Sequence, residues 1–175
     1  MNSFKNKSVY LSLGSNIEPS EFFLKEALSS LASKMELIKI SNLYLSKPTE
    51  DLEQDDFYNL VAKFTTDNLD ELELLSTIKK IETEMGRIKD PLRPKGPRII
   101  DIDIIYYSDN IINLDSLVIP HKEMLNRRFV LEPLMEIYED DGVLSTDTLK
   151  ISLANVKSQE LLKIGELEID FRTDY

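Results

Sequence analysis

Apolar positions along this chain switch between two periods, and the switches mark its elements. Residues 9–13 form a short apolar run that stops at Gly14-Ser15-Asn16, the pattern of a strand entering a turn. Pro19 suits a first helical turn, and Leu24, Ala27, Leu28 and Leu31 then recur at helical spacing as core positions. Residues 37–45 alternate as a second strand. Residues 57–64 read as a third, with Phe57, Asn59, Val61 and Lys63 on one face and Tyr58, Leu60, Ala62 and Phe64 on the core face. The clearest helix spans 70–85: Leu74, Ile78, Ile81 and Met85 make one stripe, acids crowd the first turn, and Gly86 ends it. Leu75, Lys79 and Glu82 fall on an adjacent stripe facing elsewhere. A fourth strand runs from Ile99 to Tyr107, followed by a turn at Ser108-Asp109-Asn110 and a broken apolar run to Ile119. Asn126 is placed to cap a helix over 127–137, with Pro133 bending it or marking a later start.

The order strand, helix, strand, strand, helix, strand predicts an α/β fold of the ferredoxin-like, split βαβ kind: a mainly antiparallel sheet with helices packed on one face. Residues 1–7 read as a polar tail and 8–139 as the domain. Residues 140–175 are acidic and irregular, with enough apolar content (Leu149, Ile151, Leu161, Leu162, Ile164) for a helix or edge strand packing on the same domain.

Composition narrows the setting. A chain of 175 residues, 42% hydrophobic and 30% charged, supports its own core. With no cysteine there is neither disulfide nor thiolate site, and a reducing cytoplasm is the expected location. No apolar run approaches the ~18 residues of a membrane span, and Met1 to Ser8 lacks a signal peptide's apolar core. The net charge of −11 argues against nucleic acid as partner.

Against that charge, two features stand out. Asp101 and Asp103 lie at i and i+2 on a strand, so both side chains point one way, with Cα atoms about 6.6 Å apart, close enough to share cations. A solvated acidic sheet face is the plainer alternative. Just upstream, Arg87, Lys89, Arg93, Lys95 and Arg98 stand against the single acid Asp90, a concentration that suggests a small polyanion such as a nucleotide phosphate tail. His121, the only histidine, follows Pro120 near Arg127 and Arg128 and is a further phosphate-contact candidate beside an ordinary structural role. The polar stretch 46–56 is long for a compact domain and reads as a lid or binding loop. Phe57 and Asn59 share a face suited to stacking on, and hydrogen bonding to, a flat heterocycle; taken alone the pair is ordinary strand chemistry.

Taken together, Gly14-Ser15-Asn16, Phe57-Tyr58-Asn59, Glu82 through Gly86-Arg87, Gly96-Pro97-Arg98-Ile99-Ile100-Asp101-Ile102-Asp103-Ile104 and Pro120-His121 resemble hydroxymethyl-dihydropterin pyrophosphokinase of folate biosynthesis over roughly residues 9–138. The resemblance implies a 2-amino-4-hydroxy-6-hydroxymethyldihydropteridine diphosphokinase. Such an enzyme transfers pyrophosphate from ATP to 6-hydroxymethyl-7,8-dihydropterin and releases AMP. It implies two Mg²⁺ ions on Asp101 and Asp103, with Arg87 and Arg98 neutralising phosphates beside them as the other catalytic groups. It further implies ATP contacts from Leu75, Lys79, Lys89, Ile104, His121 and Arg127, and pterin contacts from Ser46, Thr49, Phe57, Asn59 and Phe129. Several positions depart from the family pattern. Phe57 replaces a common tyrosine, Ser46 a threonine, Lys89 an arginine and Lys95 a tryptophan; Lys122 stands where an aromatic is frequent, and the basic loop is one residue longer. Two other classes fit some of the same residues. A two-metal phosphohydrolase or nuclease would want further acids or histidines, and a non-catalytic ligand-binding module of this fold would be indifferent to Mg²⁺.

Overall fold

The computed structural model of the protein describes residues 6–169. Five strands lie side by side in the order β5 (Asp101–Tyr107), β1 (Lys7–Ser15), β4 (Phe57–Thr66), β3 (Leu43–Ser46) and β8 (Leu161–Gly165), every neighbouring pair antiparallel. β2 (Glu36–Ile40) pairs with the far end of β4, beyond β3. What reads in sequence as one strand is therefore two. The break comes at Ser41, whose Oγ accepts the Val61 N–H at 2.9 Å, and Asn42, whose N–H turns out to Glu136 at 2.7 Å. A small hairpin, β6 (Ile112–Leu114) with β7 (Leu117–Ile119), follows β5.

Helices α1 (Ser20–Ala32) and α2 (Glu71–Glu84) cover one sheet face, as expected. Leu24, Leu28, Leu74 and Ile78 meet Leu11, Leu13, Leu60, Ala62 and Phe64 there in one apolar layer. α2 starts where its chemistry dictates. Asp70 accepts from the N–H groups of Leu72 and Glu73, and the Glu73 carboxylate accepts the Asp70 N–H in return, while Gly86 at φ +91° closes the far end. The opposite face is covered too, by α3 (Arg128–Ile137), with α4 (Thr146–Asn155) packed on α3; Leu131, Leu134 and Leu149 share one buried cluster with Tyr10, Val61, Ile105 and Tyr106. The helices thus enclose the sheet from both sides.

α3 begins at Arg128, with Arg127, not Asn126, in the cap position and no side chain of its own capping it. Gln159, from the segment between α4 and β8, supplies the missing acceptor: its Oε1 takes the Arg128 N–H at 2.8 Å while its Nε2 donates to the Asn126 carbonyl. Pro133 lies within α3 without ending it.

β5 departs from strict alternation. Tyr10 pairs with Tyr106 but Leu11 pairs with Ile104, leaving Ile105 as an extra residue, a β-bulge. Ile105 and Tyr106 consequently face α3 together, and Tyr107 turns to the α1/α2 core, the reverse of what alternation from Asp101 assigns to the two tyrosines.

Candidate active site

α3 and α4 cover only part of their sheet face. Over the rest, β1, β4 and β5 form the floor of a cavity of about 410 Å³. The register sets Asn59, Gly14 and Asp101 in one row across the three strands, with Ser12 beside Asp103 in the next. A Cβ on Gly14 would lie 3.2 Å from Asn59 Oδ1 and 3.8 Å from the Phe57 ring, so the bare glycine lets both side chains lie across β1.

The two carboxylates differ sharply. Asp101 Oδ1 accepts from Arg87 at 2.7 Å and its Oδ2 from Arg98 at 2.8 Å. Arg87 is held in turn by Glu82, a carboxylate 2% exposed that also accepts the Ile102 N–H at 2.9 Å and Lys79 at 3.1 Å. Glu82 is thus a buried anchor tying the end of α2 to β5. Asp103 has no such cation; its nearest is His121 Nε2 at 3.9 Å. Burial raises both aspartates, but Arg87 and Arg98 outweigh it at Asp101, which lies below the usual carboxylate range. At Asp103 burial and the neighbouring Asp101 charge prevail over His121, Arg127 and Lys79, and it lies above that range. Both carboxylates are ringed by protein yet open toward the cavity, with Asp103 41% accessible. His121 is fixed at three points. Its backbone N–H donates to the carbonyl of the bulged Ile105 at 3.0 Å, its carbonyl accepts the Met124 N–H at 3.0 Å and its Nδ1 accepts the Glu123 N–H, which leaves Nε2 toward Asp103. Burial lowers its pKa in spite of the Asp103 charge.

Across the cavity, Asn59 donates through Nδ2 to Ser46 Oγ at 2.9 Å and to the Phe57 carbonyl at 2.8 Å, which leaves Oδ1 as its free acceptor. The Arg98 guanidinium sits 5.3 Å over the Phe57 ring, and Arg127 lies 5.8 Å from that of Phe129.

Of the residues expected at a site, Ser46, Thr49, Phe57, Asn59, Lys79, Arg87, Arg98, Asp101, Asp103, His121, Arg127 and Phe129 line this one cavity. Three do not. The Ile104 side chain is buried in the α1/α2 core because it alternates away from Asp103, Leu75 is half-buried against the same core, and Lys89 lines a smaller hollow on the outside of the basic loop. Gly14 and Glu82 belong to the motifs that carry the resemblance but had no role assigned from sequence, and Ser12 beside Asp103 is a further contributor. Glu82 had a visible signal, a lone acid abutting the apolar stripe of α2 one turn before Arg87.

Two oxygen-donor side chains facing one cavity suit a hard cation that completes its shell from phosphate and water. Among the described residues no group of three or more His, Cys, Asp or Glu gathers to form the fuller cage of a metallohydrolase. Each Asp101 oxygen accepts from one guanidinium and keeps a second lone pair that a cation in the cavity could use.

A family model described as 7,8-dihydro-6-hydroxymethylpterin-pyrophosphokinase (HPPK) matches residues 10–139. The chain is 41% identical over 135 residues to the 2-amino-4-hydroxy-6-hydroxymethyldihydropteridine pyrophosphokinase of Haemophilus influenzae, a match covering 76% of this chain and 82% of that protein. It is 42% identical over 163 residues to the bifunctional protein FolKE of Lactococcus lactis and 44% over 140 residues to the folic acid synthesis protein fol1 of Pneumocystis carinii. Those matches cover 91% and 79% of this chain but only 46% and 18% of the longer relatives. The chain thus spans less than half the length of these two. A crystal structure of Plasmodium falciparum HPPK-DHPS with pterin and p-hydroxybenzoate shares the fold, with a TM-score of 0.64 at 19% identity over 89% of this chain and 44% of that one.

Proposed function

The chain belongs to the 7,8-dihydro-6-hydroxymethylpterin-pyrophosphokinase family, and from that premise we propose that it moves the terminal diphosphate of ATP onto 6-hydroxymethyl-7,8-dihydropterin. The hydroxymethyl oxygen attacks the β-phosphorus and loses its proton to solvent, the bond from that phosphorus to the α–β bridging oxygen breaks, and AMP leaves with that oxygen and the bonding pair. One observation carries the reading. A single cavity sets the acid pair and two arginines against a stacking ring and an oriented amide.

Asp101 and Asp103 would hold two Mg²⁺ ions, which supply Lewis-acid stabilisation of phosphate charge when bound. Arg87 and Arg98, beside Asp101, would bring fork-shaped donors to the phosphate charge that builds on transfer. Lys79, His121 and Arg127 contact the nucleotide. Leu75, Ile104 and Lys89 stand off the cavity and drop out of this reading as side-chain contacts. Phe57 and Phe129 sandwich the pterin, with Ser46 and Thr49 bordering it. The free Asn59 Oδ1 accepts from a ring N–H or amine, since its Nδ2 is already engaged. Residues 8–139 constitute the catalytic domain and residues 140–169 an extension packed on it. Among the described residues no helix is long and apolar enough to cross a membrane; a reducing cytoplasm is the proposed setting.

Incubation with ATP, Mg²⁺ and the pterin alcohol, followed by identification of the nucleotide product, tests the assignment. AMP with the pterin diphosphate is expected. ADP, or free phosphate without pterin modification, would overturn it.

A further inference from the structure

The two loops over the cavity carry opposite charge and hold each other. The loop between β3 and β4 contributes Glu50, Asp51 and Glu53; the loop between α2 and β5 contributes Arg93 and Lys95. Arg93 donates to Asp51 Oδ2 through Nε at 2.9 Å and Nη2 at 2.6 Å, and to the Glu53 carbonyl at 3.2 Å. Lys95 Nζ lies 3.1 Å from Glu50 Oε2, and Gln54 donates to the Lys95 carbonyl at 2.9 Å. Beneath this seam Asn16 binds both sides, donating to Gln54 Oε1 and accepting the Arg98 N–H. Two cations that the sequence offers to a polyanion are therefore engaged by acids of the facing loop.

We propose that Arg93–Asp51 and Lys95–Glu50 form a charge clasp that fastens these loops over the cavity, making the four side chains positioning residues for the transfer proposed above. The clasp rests on that reading for its role in turnover, though not for its existence. Through the first loop it sets Thr49 at the ring side of the cavity; through the second it sets Lys95, whose carbonyl accepts from Arg98 Nη2 at 3.3 Å. Arg93 is 45% accessible and Lys95 54%, so each pair is open to screening by salt. ATP is a polyanion and weakens with salt on its own account, whereas the pterin alcohol is uncharged. Salt dependence of the pterin's KM therefore reports the loops.

Amide hydrogen exchange on the free protein tests the clasp without reference to activity. Arg93→Ala should speed exchange across residues 50–56, about forty positions away in sequence, by roughly fivefold, the upper range for one exposed pair. The reversed pair Asp51→Arg with Arg93→Asp should restore protection, and about 0.5 M salt should bring the native protein to the Arg93→Ala level. In turnover, Arg93→Ala should raise the KM for the pterin alcohol by a similar factor with kcat changed less than twofold, and the reversed pair should recover it. Thermal unfolding, unchanged in Arg93→Ala, separates this from general damage. Exchange in 50–56 that ignores Arg93→Ala, or a reversed pair that rescues nothing, would overturn the clasp. If the native protein forms no AMP while exchange behaves as described, the activity assignment alone fails.

Discussion

One sheet face, made from the same three strands, is built by opposite rules at its two ends. Under α3 and α4 it presents Tyr10, Val61, Ile105 and Tyr106, all buried. The one charge on the strands there, Lys63, is 4% exposed and fully answered: it meets Glu139 and, at 2.6 Å, Asp141, which also accepts from Tyr10 at 2.7 Å. A few residues along the same strands, the face presents Ser12, Gly14, Asn59, Asp101 and Asp103 to a cavity. Its charges are unevenly answered there: Asp103 has no hydrogen-bonded cation, and Asp101 takes two, from a helix end and a loop. Closed electrostatics at one end fasten the fold, and open electrostatics at the other are what the proposed function needs for a ligand. Changes at the covered end should therefore move stability, and changes at the open end should move chemistry.

The largest effect expected is at the open end. Asp103→Asn removes charge while keeping shape, and should lower the single-turnover rate of AMP formation by about 10²–10³-fold or more. Its unfolding temperature should hold or rise, since a carboxylate crowded by Asp101 is relieved. At the covered end, Lys63→Met should leave kcat within about twofold per folded molecule and cost roughly 1–3 kcal/mol in denaturant unfolding. Burial tends to raise the Asp141 pKa, but Lys63 and Tyr10 outweigh it and hold the carboxyl below its usual range. A lowered folded pKa gives stability that is complete above about pH 4 and drains away as pH falls through the folded value. That acid-side loss should shrink in Lys63→Met, as read from unfolding free energy between about pH 5 and 2. Gln159→Ala crosses the division, because Gln159 caps the helix that starts beside Arg127 and Phe129; about 1 kcal/mol of stability should go together with a modest rise in KM. Gly14→Ala should be mildest, with a KM rise for the pterin alcohol below about fivefold and little change in unfolding, because Asn59 Oδ1 need yield only a few tenths of an ångström. A Gly14→Ala variant that unfolds more readily than Lys63→Met would erase the distinction between the two ends.

Local chemistry made much of this legible. The Asp70/Glu73 cap and Gly86 bracket α2, and period-two alternation sets the two faces of β4 and puts Asp101 and Asp103 on one side. Long-range facts stayed hidden. Nothing near Ile105 announces the extra residue, because a bulge is defined by the partner strand, so strict alternation from Asp101 assigns both tyrosines to the wrong faces. The break at Ser41–Asn42 depends on Glu136, ninety-four residues away from Asn42. Counting charges finds the basic loop, yet cannot tell that Arg93 and Lys95 answer acids of another loop. α4 and β8 carry too weak an apolar pattern to reveal that one joins α3 on the second face and the other extends the sheet beyond β3.

The bulge at Ile105 acts as a phase shift in β5. Before it, every second side chain belongs to the trough. After it, Ile105 and Tyr106 turn together into the core under α3, while the Ile105 carbonyl accepts the His121 N–H. Deleting the one surplus residue would leave Tyr106 alone on that face and take away the carbonyl that holds His121 beside Asp103.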